Sequence, residues 1–116
     1  MATSFKVLGQ SAPTVPVSSP LPVLVPDQGA GVVVSSITVA NKNANSTDYF
    51  YIKAAVGGTS TSASTYDKQF VAYRMAIAPN ATITLTLGIT LASGDTIIAY
   101  SEGGNCLFNA FGTVNS

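Results

Sequence analysis

The chain has 116 residues, enough for one domain with a single core and too few for two. Only 9% of its residues are charged, far below the roughly 25% of an ordinary soluble domain. Five basic residues (Lys6, Lys42, Lys53, Lys68, Arg74) balance five acidic ones (Asp27, Asp48, Asp67, Asp95, Glu102), and their scatter offers no basic patch, which speaks against nucleic acid as a partner.

From Met1 the chain shows no basic start followed by an apolar stretch, so no secretory signal is expected. No apolar run approaches the length of a membrane-spanning helix, so no membrane partner is expected either. Residues 1–27 hold five of the six prolines, at Pro13, Pro16, Pro20, Pro22 and Pro26. That spacing forbids helix and favours an extended, polyproline-like path. Val15, Val17, Leu21, Val23, Leu24 and Val25 lie between the prolines and are too apolar for a solvated linker. Two readings stay open: a chain that runs along the outside of its own sandwich, with Phe5-Lys6-Val7-Leu8 as an edge strand, or an arm that docks on a neighbouring subunit.

From Gly31 onward the pattern is β with period two. In Gly31 to Lys42, Val33, Ile37 and Val39 share a parity. In Tyr49 to Val56, Phe50, Ile52, Ala54 and Val56 alternate with Tyr49, Tyr51, Lys53 and Ala55. Asp67 to Ala78 puts Val71, Tyr73, Met75 and Ile77 on one side and Phe70, Arg74 and Ala76 on the other. Ala81 to Leu91 is the clearest, with Ile83, Leu85, Leu87, Ile89 and Leu91 against Thr82, Thr84, Thr86, Gly88 and Thr90: one face in a core and a threonine stripe facing out. Two shorter strands follow, Asp95 to Ser101 and Asn105 to Gly112. Turn residues separate the runs, and short connections predict that neighbouring strands pair antiparallel.

One-sided burial needs a second layer. The expected fold is therefore all-β, an antiparallel β-sandwich of jelly-roll or immunoglobulin-like type with essentially no helix. It divides into a Pro-rich arm over 1–27 and a sandwich over 28–116.

Groups that carry chemistry are sparse. The absence of histidine removes the commonest general base and the commonest metal ligand together. Cys106, the single cysteine, can form no intrachain disulfide, suits synthesis in a reducing cytoplasm, and reads as a buried inert thiol. The carboxylates stand one per turn, where Asp commonly fixes loops. Neither a catalytic site, a metal site nor a cofactor is expected, and the chain reads as a non-enzyme. Tyr49 and Tyr51 point outward together, a pair that suits a protein interface, where Tyr is enriched and Lys and Glu are depleted. A sugar-stacking platform is the alternative reading of the same pair.

The segments Phe5-Lys6-Val7-Leu8-Gly9-Gln10-Ser11-Ala12-Pro13, Val32 to Asn41, Phe70-Val71-Ala72-Tyr73, Leu87-Gly88-Ile89-Thr90-Leu91 and Phe108-Asn109-Ala110-Phe111-Gly112 together resemble a group of small virion structural proteins of tailed bacteriophages. The likeness covers nearly the whole chain. It implies a capsid cement or decoration protein on the virion exterior, made in the bacterial cytoplasm. It further implies the major capsid protein as partner and a homo-oligomer, with a trimer favoured. A phage tail or fibre accessory subunit is the runner-up, and a carbohydrate-binding module the alternative of another class. The residues expected at the interface are Pro13, Val15, Pro16, Val17, Pro20, Leu21, Val23, Tyr49, Tyr51 and Tyr66, with the Gly57 to Tyr66 loop.

Overall fold

A computed structural model of the chain describes residues 3–13, 23–29, 31–56 and 69–115. Eight strands run through them: β1 (Thr3–Ser11), β2 (Val23–Val25), β3 (Val32–Asn41), β4 (Asp48–Ala55), β5 (Phe70–Ile77), β6 (Thr82–Leu91), β7 (Thr96–Ser101) and β8 (Cys106–Asn115). They form two four-stranded antiparallel sheets, ordered β1-β8-β3-β6 (sheet A) and β2-β7-β4-β5 (sheet B). Among the described residues there is no α-helix.

The pairs β1 with β8, β2 with β7, β3 with β6 and β4 with β5 are nested one inside the next. This is the wrapping of a jelly roll, a long antiparallel ribbon folded over into two layers. It corrects the expectation that sequence neighbours pair. Of the consecutive strands only β4 and β5 do so, because every other pair of consecutive strands is divided between the two sheets. Phe5 to Leu8 lie in β1, at an edge of sheet A.

The main core fills the space between the sheets. Val34, Ile37, Val39, Phe108 and Ala110 of sheet A meet Leu24, Val25, Phe50, Ile52 and Ile97 of sheet B, all at most 1% exposed. Phe50 and Phe108 meet edge to face across the middle, with centroids 6.2 Å apart. The end formed by β1 and β2 is drawn tight: a Cβ on Gly9 would lie 1.7 Å from the Leu24 carbonyl oxygen, so only glycine fits there.

Two parities differ from the alternation read in the sequence. In β3 the residues facing the core are Val32, Val34, Ile37 and Val39, and Val33 faces out with Thr90 and Thr113. The register shifts between Val34 and Ser36, where one extra residue reverses the phase. In β5 two such shifts, opposite Tyr51 and between Ile52 and Lys53, leave Ala72 and Ile77 buried while Val71, Tyr73 and Met75 are exposed. Arg74 sits at the first of these irregularities with φ 51°.

The alternation in β4 holds at Phe50 and Ile52, but the strand is covered on both faces. Lys53 is fully buried, and Ala55, Ile98 and Tyr100 form a second small cluster behind sheet B with Tyr51 and Phe70. Every residue of β7 is buried for the same reason. Val56, just past the strand, is exposed.

Candidate interaction surfaces

The back of sheet B is organised from beneath by Asp48. This buried carboxylate at the start of β4 accepts backbone N–H bonds from Tyr49 (2.8 Å), Gly103 (2.7 Å) and Asn105 (3.2 Å), and the Cys106 thiol lies 3.6 Å away. The bonds gather the turn between β7 and β8 onto the start of β4, and the Glu102 amide closes it by donating to the Tyr49 carbonyl at 2.9 Å. Gly103 fits closely there, since a Cβ would come within 2.9 Å of the carboxylate.

That turn carries Glu102 to the sheet's outer face. Its carboxylate accepts the Tyr51 hydroxyl (2.5 Å) and the Arg74 Nε–H (2.8 Å). Both bonds favour the charged form and hold its pKa below the usual carboxylate value, that from Tyr51 first. Burial pushes the Tyr51 phenol up to about 12, helped by the hydrogen bond and charge of Glu102. The Arg74 guanidinium lies 4.2 Å from the centroid of the Tyr49 ring, a cation–π contact.

Around Tyr51 the rings complete a cluster. Tyr100 stacks on it at 5.0 Å, and Tyr73 and Phe70 meet it edge on at 5.2 and 6.0 Å. The ring faces are spent largely on one another, so the group is a packed ridge rather than an open stacking platform. Tyr73, 64% exposed, is its outermost member.

The back of sheet A is of the opposite character. Its outward side chains are Phe5, Val7 and Gln10 on β1, Leu107, Asn109, Phe111 and Thr113 on β8, Val33, Ser36, Thr38 and Ala40 on β3, and the threonines of β6. None is charged. Lys6, the one charged residue in the four strands, has the other parity, opposite Gly112. The face therefore presents hydroxyls, amides and apolar groups, with Phe5 83% exposed at one corner. Beside it, at the end of β1 and β8, a shallow depression of about 330 Å³ is lined by Gln10, Ser11, Ala12, Leu107, Phe108 and Asn109.

The residues expected at an interface divide as follows. Tyr49 and Tyr51 lie together on the back of sheet B, half-buried, tied to Arg74 and Glu102. Pro13 is half-buried just past β1, and Val23 is exposed at the start of β2. Val15, Pro16, Val17, Pro20, Leu21 and Tyr66 lie outside the described residues. Phe70, Tyr73, Arg74, Tyr100 and Glu102 were not anticipated: the irregularities in β5 bring the first three beside Tyr51, and no residue type in that strand announces them. Among the described residues no three of Cys, Asp and Glu come together as a metal site, and no helix is long and apolar enough to cross a membrane. The sequence matches no protein-family model and no curated protein.

Proposed function

We propose that the chain is a virion structural protein of a tailed bacteriophage, a cement or decoration protein that binds the outside of the major capsid lattice. The uncharged back of sheet A is the observation that carries this reading. Burying a charged surface costs several kcal/mol per unpaired ion, whereas threonine, serine and asparagine are covered at small cost once hydrogen-bonded. A face of four strands, roughly 30 Å by 19 Å from ordinary strand rise and spacing, suits a modest protein contact. Many copies on one shell then act together, so weak individual contacts suffice.

The sequence resemblance to phage virion proteins supports the same reading. Jelly rolls occur in viral capsid proteins and also in lectins and cupins, so the architecture is compatible with the role without selecting it.

The test is co-sedimentation of the purified chain with empty heads of the phage that encodes it. Wild type is expected to pellet with the heads to a saturating ratio. The variant Thr38→Lys, which charges the middle of the face, is expected to bind at least about tenfold more weakly with an unchanged thermal melt, since a buried unpaired charge costs more than the 1.4 kcal/mol of a tenfold change. Wild type remaining in the supernatant at every ratio contradicts the proposal.

A further inference from the structure

Each sheet ends in two edge strands, and three of the four edges are guarded against pairing with another chain. β2 is three residues long. β5 is broken by two register irregularities, with Arg74 in a left-handed conformation at one of them. β1 is bulged at Leu8, carries Lys6 and is pressed against the backbone of β2 at Gly9. Short strands, bulges, charges and covering chain are the usual means of blunting an edge.

β6 lacks these devices over Thr82–Thr86. The stretch has no charge and no proline, and its register against β3 is regular from Thr82 opposite Ala40 to Thr86 opposite Ser36. Among the described strands β6 pairs with β3 alone. Its core-side residues Ile83, Leu85, Leu87 and Ile89 pack on the core yet stay only partly buried.

We propose that β6 pairs with the β6 of a second copy of this chain, antiparallel about a two-fold axis at Thr84, so that sheet A continues as one eight-stranded sheet. In that register Thr84 faces its own copy, Thr82 faces Thr86 of the second copy, and Ile83 faces Leu85. Threonine meets threonine on the outer face and apolar meets apolar on the inner one. A slip of one residue would set threonine against leucine on both faces, so the alternation fixes the parity. A homotypic contact sets like charges against each other wherever an edge is charged; this edge has none to repel. A strand of another protein bearing charges would find no counter-charge here, whereas this chain supplies a neutral, alternating partner.

The contact is isologous and closes at two copies, where the resemblance to decoration proteins implies a trimer. It is also independent of the proposed capsid role, because it is read in solution without heads.

Sedimentation equilibrium of the full chain tests it. Wild type at high concentration is expected at twice the 11.8 kDa chain mass. Thr84→Lys, exposed in the single chain but opposite its own copy in the pair, is expected to be monomeric, melting as wild type does at dilutions where both are monomers, while Thr113→Lys, on β8 two strands in from the edge, stays dimeric. A second readout is covalent. Opposite residues of an antiparallel pair have Cα atoms about 4.5–5.5 Å apart, within disulfide reach, and Cys106 is buried and does not compete. Thr84→Cys is expected to cross-link on mild oxidation at least tenfold faster than Thr90→Cys, whose copies lie roughly 40 Å apart in this register. A wild-type monomer or trimer, or equal cross-linking rates for the two cysteine variants, overturns the proposal.

Discussion

A single carboxylate links the interior of the sandwich to its surface. Asp48 is 3% exposed, and burial by itself would raise its pKa. Hydrogen bonds from Ser101 and from the Gly103, Tyr49 and Asn105 amides outweigh that and hold it below the ordinary value. A carboxylate whose pKa is depressed on folding stabilises the fold fully above its unfolded value, about 3.9, and loses that contribution as pH falls through the lower folded value. Asp48→Asn places an amide N–H₂ among these donors, and is expected to cost about 1–3 kcal/mol at pH 7. Urea denaturation across pH should show the gap between wild type and variant narrowing as the pH falls below about 4; a gap that does not change with pH contradicts the role given to the carboxylate. Beside Asp48, burial pushes the Cys106 thiol up to about 12, a shift reinforced by the neighbouring negative charge. At neutral pH it is therefore a thiol and not a nucleophile.

β1 crosses close to the backbone of β2 at Gly9. Gly9→Ala would drive a methyl into the Leu24 carbonyl, and no side chain can move aside to relieve a clash with backbone. The variant is expected to lose about 1–3 kcal/mol, the usual cost of overpacking, seen as a lower thermal midpoint; an unchanged midpoint would mean that the corner is loose. How far these elements could be read in advance depended on regularity. β6 was legible because it keeps one phase with one face buried. β3 and β5 were legible as strands but not in their phase, because a bulge inserts a residue without a compositional mark: Ser35 and Arg74 are not glycines. The strand order was hidden too, since alternation tells which face a residue takes and not which strand lies beside it. In the same way the parity of Tyr49 and Tyr51 was visible, while Arg74 and Glu102, which reach them from a bulge and a turn, were not. The double burial of β4 and β7 likewise leaves no signature that distinguishes Lys53 from an exposed lysine.

At the scale of the whole molecule, the two backs of the sandwich are unlike. One holds an aromatic ridge tied by Arg74 and Glu102, and the other is a broad neutral face. Zero net charge gives little self-repulsion, which favours association over dispersal. A shell-coating role makes use of such a surface at every capsomer, whereas a tail or fibre subunit would meet its partners at one vertex. Counting copies in purified virions by quantitative mass spectrometry separates these directly. A decoration protein is expected at on the order of hundreds of copies per particle, the multivalent coverage that makes weak neutral contacts sufficient. A dozen or fewer, or none, would contradict it.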